Sequence, residues 1–463
     1  MDEPQTIDLL IEDGVIVTVD AARRVIADGA VAIDDGRIVA VGKAADLTPR
    51  YRPAERIPAG DHLVIPGLVD AHVHITAEHL ARGLALDDAG HRWMFDYALP
   101  LYAAITPEEE YAGARLACLE MLRNGTTCFQ EGGTARDVSA SAHAVEEAGL
   151  RATLSPWTWD LPKDPAGLAL STDQAMARTE AVVRRFHGTA DGRLRIAASC
   201  INPALCSTAL LQGLKTLTEA EGIGFTFHHA SSIEPVDAYV AAHGRRPLLD
   251  FADLGILGPG VLATHMVHLD DDELAELARS GAAVAHCPQT ALRLAYGAAA
   301  QGRFPEMIAA GVTVALGTDG VMSSDNQDLF KAMQIAAGLF KDARRDPTLL
   351  PAEKVVEMAT IDAARALGLD REIGSIEVGK RADLVLLDRR APELTPLVDV
   401  ANALVYATDG RNVATVIVDG RIVVTDGTVL TIDADSLYAK VAQITPRLVE
   451  RAGLKPRPRW PIA

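Results

Sequence analysis

Two histidines, His72 and His74, stand two residues apart at the end of an apolar run that begins at Leu68. If this run forms a strand, the period-two alternation of side chains turns both imidazoles toward the same side of the sheet. Imidazole nitrogens are common ligands of divalent metal ions, so the pair indicates half of a metal site. The pair alone is weak support, because so short a motif also arises by chance.

Three further polar side chains follow short apolar runs later in the chain: His228, His265 and Asp319. Three histidine nitrogens and one aspartate oxygen suit one divalent ion, zinc most commonly, with iron, cobalt and manganese as alternatives. Such an ion lowers the pKa of water toward about 7 and so provides hydroxide at neutral pH. Asp319 is the candidate catalytic base, which takes a proton from water and passes it to the leaving group.

The elements that must position these residues alternate between strand-like and helical patterns across the middle of the chain. Eight strands are predicted, over residues 64–74, 126–131, 152–156, 194–200, 223–229, 260–265, 282–287 and 312–318. Alternation of this kind predicts an α/β fold, a (β/α)8 TIM-type barrel over residues 63–370 with its active site at the C-terminal strand ends. A doubly wound sheet is the alternative, but no glycine-rich phosphate-binding sequence follows the first strand.

Both ends of the chain instead show short strands separated by turn residues. We expect residues 1–62 and 371–430 to form one small β-sandwich domain from the two ends of the chain. Residues 431–463 are predicted to form a C-terminal helix and a proline-rich tail.

Composition excludes several classes of protein. The formal net charge of −19 argues against a nucleic-acid or anionic membrane partner, since clustered Lys and Arg hold those partners. The five cysteines contain no Cys-x-x-Cys pair, so neither a disulfide framework nor a zinc knuckle is indicated. No apolar run reaches membrane-spanning length. We therefore expect a cytoplasmic protein that acts on a small neutral or cationic molecule.

Seven motifs together resemble the amidohydrolase superfamily, in its mononuclear-metal branch, and they extend over nearly the whole chain. They read PGLVDAHVH at 66–74, NGTT at 124–127, PALCS at 203–207, THMVHL at 264–269, VAHCPQ at 284–289, LGTDG at 316–320 and GSIEVGKRADLV at 374–385. This branch contains cytosine, guanine and adenosylhomocysteine deaminases and the triazine chlorohydrolases.

The resemblance implies a role for each residue that matches the family pattern. It implies that His72, His74, His228 and Asp319 bind the metal, and that His265 lies beside the attacking water or the substrate oxygen. No lysine occurs over residues 193–200, so the carbamylated bridge of binuclear relatives has no counterpart and one metal ion is expected. Relatives are commonly dimers or larger, so a homo-oligomer is expected.

The chain departs from the deaminases of this branch at positions near the site. Ser231 stands where they carry a glutamate that delivers a proton to the ring nitrogen, and Ile201 stands where they often carry a histidine. Hydrolysis of a urea, carbamate or thiocarbamate needs no such acid. The first hypothesis is therefore a metal-dependent hydrolase of these substrates that breaks a C–N or C–S bond, similar to the phenylurea and thiocarbamate hydrolases. The alternative is a deaminase or dechlorinase of an N-heterocycle (triazine, purine or pyrimidine), with Glu234 or water as the acid.

Three further side chains are candidate substrate contacts. Trp157 and Trp159 follow the third predicted strand and can wall an apolar pocket, although loop packing explains them equally well. His286 lies near the end of the seventh predicted strand. It is either a substrate contact or a histidine that packs inside the barrel. A non-enzymatic barrel is the rival from another class, and loss of Asp319 or of a metal histidine would indicate it.

Overall fold

A computed structural model describes residues 3–161 and 168–460. Its strands are β1 (Gln5–Val17), β2 (Val25–Asp34), β3 (Arg37–Lys43), β4 (Tyr51–Pro58), β5 (His62–Pro66), β6 (Leu68–His74), β7 (Thr126–Glu131), β8 (Arg151–Leu154), β9 (Trp157–Thr158), β10 (Leu194–Ile196), β11 (Ala198–Cys200), β12 (Phe225–His229), β13 (Val261–His265), β14 (Ala283–His286), β15 (Val314–Leu316), β16 (Asp319–Gly320), β17 (Leu384–Asp388), β18 (Val413–Val418), β19 (Arg421–Thr425) and β20 (Thr428–Val429).

Helices cover most of the connections between these strands. They are α1 (Ala44–Leu47), α2 (Leu99–Ala104), α3 (Pro107–Arg123), α4 (Val138–Ala148), α5 (Thr172–Phe186), α6 (Thr208–Glu221), α7 (Ile233–His243), α8 (Pro247–Asp253), α9 (Asp271–Ser280), α10 (Pro288–Arg293), α11 (Ala298–Gln301), α12 (Phe304–Ala309), α13 (Val321–Ser324), α14 (Leu329–Arg344), α15 (Ala352–Met358), α16 (Ile361–Ala366), α17 (Val400–Tyr406) and α18 (Ala434–Arg451). Of the predicted tail, residues 461–463 lie outside the described part of the chain.

The middle strands pair in parallel and in a cyclic order. One set runs β10-β8-β7-β6-β16 and the other runs β15-β14-β13-β12-β11-β9. In three places one barrel strand is interrupted by a few residues, which divides it into β8 and β9, β10 and β11, or β15 and β16. In each case one part pairs in the first set and the other part pairs in the second set, so the interrupted strands connect the two sets. The predicted (β/α)8 barrel is confirmed, and the carboxyl ends of its strands meet at one rim.

Strands from both chain ends form the second sheet. Its order is β20-β19-β18-β17-β5-β1-β2-β3, and β4 pairs with β1 outside this path. Along β1, Leu9 and Ile11 belong to one buried apolar cluster while Ile7 and Leu10 belong to another. Apolar side chains therefore cover both faces of this sheet. The domain limits predicted above remain our proposal.

The strand predicted over residues 64–74 is two strands, and Gly67 separates them. β5 pairs with β1 and with β17 in the small sheet, whereas β6 begins the barrel. At Gly67 the side chain of Thr127 approaches so closely that an added Cβ would lie 2.0 Å from the Thr127 hydroxyl oxygen. The chain passes from one sheet to the other at a position where a side chain does not fit.

Helix α3 fixes the loop that follows β6. Thr106 caps the helix, since its side chain accepts a hydrogen bond from the Glu109 amide while the Glu109 carboxylate accepts one from the Thr106 amide. Gly113 lets the helix approach the Thr76 carbonyl oxygen, which would lie 2.5 Å from a Cβ at residue 113. This close packing holds the loop against the barrel rim. None of the helices over the described ranges is both long and apolar enough to cross a membrane.

Candidate metal centre

Five of the residues selected from the sequence converge at the carboxyl rim of the barrel. Nε2 of His72 lies 3.5 Å and Nε2 of His74 lies 3.7 Å from Oδ1 of Asp319. Nε2 of His265 lies 3.9 Å from Oδ2 of the same carboxylate. Nε2 of His228 lies 3.2 Å from Nε2 of His74. The structure thus brings together residues from the first, fifth, sixth and eighth strands of the barrel.

The histidine nitrogens are arranged to receive a cation. Nε2 of His72 is buried and has no hydrogen-bond partner among the described residues. Nε2 of His74 and Nε2 of His228 face each other at 3.2 Å, close enough for both nitrogens to bind one ion. Nδ1 of His228 donates to the Ile201 carbonyl oxygen at 3.0 Å, so its Nε2 carries the lone pair. This donor set fits a divalent metal ion.

Burial keeps the imidazoles of His74, His228 and His265 neutral, as metal ligation requires. Burial lowers the pKa of His74 to about 3 and that of His265 to about 4, and it holds the pKa of His228 well below its ordinary value. Burial raises the pKa of the Asp319 carboxyl, but the nearby imidazoles of His72, His265 and His74 outweigh burial and hold that pKa far below its ordinary value. At neutral pH the site offers neutral nitrogens and an ionised carboxylate.

Close backbone packing and unusual backbone angles set the directions of these side chains. A Cβ on Gly132 would lie 2.4 Å from Cε1 of His72 and 2.8 Å from Cε1 of His74. His265 and Asp319 adopt left-handed backbone conformations, with φ of 76° and 63°. Such conformations cost free energy in non-glycine residues and are concentrated at functional sites.

Asp70 connects the first strand to the segment before Asp319. Its Oδ1 accepts hydrogen bonds from the amides of His72, at 3.2 Å, and Thr318, at 3.1 Å. Its Oδ2 accepts the Thr318 hydroxyl at 2.5 Å. Asp70 stands two residues before His72, so strand alternation could have identified it from the sequence.

His286 stacks on a phenylalanine, whereas Cys287 lies beside two of the candidate ligands. His286 is fully buried, and its ring stacks on Phe304 of α12 with 3.8 Å between the ring centroids. Cys287, the next residue, offers a sulfur within 4.8 Å of ligand atoms of both His72 and Asp319. No sequence pattern indicated Cys287 as a candidate ligand.

Trp157 lies beside two of the candidate metal-binding histidines, and Trp159 contacts Trp157. The Trp157 ring centroid is 5.5 Å from that of His74 and 5.6 Å from that of His228. The Trp159 ring contacts Trp157 at 5.8 Å. Trp157 thus forms one wall of the site.

Of the possible replacements for the missing acid, Glu234 is exposed on the first turn of α7, whereas Glu78 is fully buried. Glu78 lies in the loop after β6, and its carboxylate is close to Gly320, the residue after Asp319. Burial, with the charge of Asp319 adding to it, raises the pKa of Glu78 to about 8. No sequence motif distinguished Glu78.

The profile of the amidohydrolase family matches residues 63–423, and the chain belongs to this family. Among curated relatives, the 5-methylthioadenosine/S-adenosylhomocysteine deaminase of Moorella thermoacetica is 40% identical over 438 residues, covering 94% of this chain and 98% of that protein. The 5'-deoxyadenosine deaminase of Methanosarcina mazei is 35% identical over 448 residues, covering 96% of this chain and 99% of that protein.

Solved structures show the same fold. An adenosine deaminase from Xanthomonas campestris with bound zinc superposes with a TM-score of 0.89 at 34% identity, covering 96% of this chain and all of that one. Atrazine chlorohydrolase from Arthrobacter aurescens, also with zinc, has a TM-score of 0.83 at 22% identity, over 95% of this chain and all of that one. The protein is a hydrolase that acts on carbon–nitrogen bonds other than peptide bonds.

The Thr264 hydroxyl provides a test of metal binding. Its Oγ1 lies 3.1 Å from Nδ1 of His72 and orients the ring so that Nε2 faces the site. Loss of a partner of this kind weakens metal binding about 10–100-fold, so we expect Thr264→Val to do the same in a zinc competition titration. Thr226→Val is the matched control, since the Thr226 hydroxyl is buried without a described hydrogen-bond partner. Equal zinc affinity of the two variants would contradict this role.

Proposed function

We propose that the protein is a hydrolytic deaminase that removes an exocyclic amino group from a small neutral N-heterocycle of the aminopurine type. The observation that carries this proposal is the convergence of His72, His74, His228, His265 and Asp319 in a chain 40% identical to a deaminase along almost its entire length. Such a reaction breaks a C–N bond at an sp² carbon and releases ammonia.

One divalent metal ion, zinc by preference, is the proposed cofactor, with iron, cobalt or manganese as alternatives. His72, His74, His228 and Asp319 would hold it. When bound, such an ion lowers the pKa of water and polarises an electronegative substrate atom. Zinc in the adenosine deaminase that is 34% identical supports this choice.

The chain's own residues then move protons and orient the substrate. Asp319, an ionised carboxylate at the rim, takes a proton from the attacking water and delivers it toward the leaving nitrogen. His265 is neutral, and its Nε2 can hydrogen-bond to the atom on which charge develops. Trp157 and Trp159 are the proposed apolar wall against which a flat substrate packs. A substrate contact by His286 stays a prediction.

Hydrolysis of a urea, carbamate or thiocarbamate is the second candidate function. Ser231 and Ile201 favour it, because neither side chain can protonate a ring nitrogen. Ile201 offers the site only its carbonyl oxygen, which His228 already uses. These substrates need a proton only on the departing amine or thiol.

Product analysis distinguishes the two functions. Zinc-loaded protein is incubated with aminopurine nucleosides, aminotriazines, phenylureas and thiocarbamates, and the released ammonia, amine and thiol are measured. We expect ammonia from the aminopurine group and no amine or thiol from the ureas and thiocarbamates. Release of amine or thiol alone would replace the proposed function with the second candidate.

The proposed partner is a small molecule rather than a nucleic acid, given the formal net charge of −19. A homo-oligomer, a dimer or larger, and a cytoplasmic location are further predictions. Light scattering of the purified protein tests the first, and cell fractionation tests the second.

A further inference from the structure

Position 231 carries a serine instead of an acid, so Asp319 alone would have to pass the proton of water on to the departing nitrogen. We propose that Glu78, held in place by Tyr102, is the acid that delivers this proton. The proposal rests on the proposed function, in that it assumes hydrolysis of a C–N bond, but it holds for either substrate class discussed above. It adds a catalytic residue outside the metal-ligand set.

Glu78 lies directly against the segment that carries Asp319. A Cβ on Gly320 would lie 1.9 Å from Oε2 of Glu78, so the glycine makes room for the carboxylate. The same oxygen accepts a hydrogen bond from the Met322 amide at 3.1 Å. The packing of Gly113 on the Thr76 carbonyl fixes the loop two residues before Glu78. The carboxyl group is therefore held beside the catalytic segment.

Tyr102 extends this contact to the opposite wall of the site. Its hydroxyl donates to Oε1 of Glu78, and its ring contacts Trp157 with 5.8 Å between centroids. Trp157 in turn contacts His74 and His228. Glu78 and Tyr102 thus lie between the Asp319 segment and the aromatic wall, where a substrate at the metal ligands would bind.

The surroundings of Glu78 favour an un-ionised carboxyl group. No described Lys or Arg forms an ion pair with it, and its hydrogen-bond partners are a phenol and one amide. Glu120, by contrast, is paired with Arg82. Glu78 is a buried carboxyl group without a cation, and Asp319 is an ionised carboxylate. Two neighbouring carboxyl groups that differ in this way are expected to act as the acid and the base of a reaction. The raised pKa of Glu78 agrees with this geometry.

Each proton that leaves one group is taken up by another. The oxygen of water forms a bond to the sp² carbon, and the bond from that carbon to nitrogen breaks. Glu78 gives its proton to the departing nitrogen, and Asp319 takes one proton from water and returns it to the Glu78 carboxylate. The second proton of water stays with the product. One water is consumed, and neither enzyme group is changed.

Kinetics of Glu78 variants test the role. We expect Glu78→Gln to lower kcat about 100-fold or more while KM changes less than about 3-fold and zinc content is unchanged. Glu78→Asp keeps an acid, so its kcat should be at least about tenfold higher than that of Glu78→Gln. Glu110→Gln is the matched control. Glu110 is also buried, and burial raises its pKa to about 8. Its Oε2, however, accepts a hydrogen bond from the amide of Asp137 and not from the segment that follows Asp319. A kcat of Glu78→Gln within about 3-fold of wild type would overturn the proposal.

A spectroscopic measurement keeps this test independent of the substrate. The infrared difference between the zinc-loaded wild type and zinc-loaded Glu78→Gln at pH 7 should contain the carbonyl band of an un-ionised carboxyl group. Only carboxylate bands in that difference would refute Glu78 as the acid even if no substrate has been found. Failure of the wild type on every substrate tested would instead count against the proposed function.

Gly320→Ala tests the geometry itself. The Gly320 backbone, with φ of −76°, accepts alanine, so the expected harm comes from displacement of the Glu78 carboxylate. We expect Gly320→Ala to lower kcat about as far as Glu78→Gln does. The variant that carries both changes should have a kcat no lower than that of either single variant. Additive losses would show that the two residues act separately and would contradict the proposed contact.

Discussion

Asp319→Asn should lower turnover by about 10²–10⁴-fold while the protein keeps most of its metal, because three histidines remain as ligands. The amide cannot accept a proton from water, but it fits the space of the carboxylate. Asparagine also tolerates the left-handed backbone at this position, so the loss reflects the missing carboxylate rather than strain. Steady-state kinetics with metal analysis of the same sample measure both quantities.

Asp325→Asn is the matched control for this change. Asp325 also has a left-handed backbone, with φ of 66°, but its carboxylate pairs with Arg293 at 2.6 Å. We expect its turnover to stay within about 3-fold of wild type, as for most surface ion pairs. Unaltered turnover in Asp319→Asn would refute the assignment of Asp319 as the base.

Gly132→Ala should abolish most activity although Gly132 is not itself a proposed metal ligand. The added methyl would overlap both His72 and His74, so their rings must move. A displacement of about 1 Å costs on the order of 100-fold in rate, and here two ligands move together. Loss of bound zinc after dialysis, together with loss of turnover, is the expected result.

Gly338→Ala serves as the control for Gly132→Ala. Gly338 lies in α14, and nothing lies within 4 Å of the position its Cβ would occupy. Alanine there should leave zinc content and turnover unchanged and should slightly stabilise the helix. Retention of zinc and full activity in Gly132→Ala would show that the ligand geometry described for His72 and His74 is wrong.

The barrel was predictable because its strands and helices follow strong local patterns. Strand alternation also turned His228 toward His72 and His74, and His229 toward Phe251, where the ring centroids are 5.3 Å apart. The break at Gly67 was missed because apolar residues lie on both sides of Pro66 and Gly67. It depends on the Thr127 side chain, which is distant in sequence.

The residues missed at the site share one cause. Glu78 and Cys287 follow the ends of strands and Tyr102 lies in the short helix α2, so the period of two within a strand indicates none of them. The His286 ring stacks on Phe304, a contact that the strand pattern did not indicate, and its role as a substrate contact stays a prediction. Contacts of this kind depend on how helices and loops close over the rim, and no local pattern encodes that closure.

Strand β5 has a consequence for synthesis of the chain. One edge of β5 pairs with β1, which the ribosome has already made, but its other edge pairs with β17, which follows more than 300 residues later. Until β17 emerges, the growing polypeptide carries an open row of amide and carbonyl groups beside apolar side chains. Exposed edges of this kind promote association between nascent chains. Slow or interrupted translation before residue 384 should therefore favour aggregation over completion of the fold.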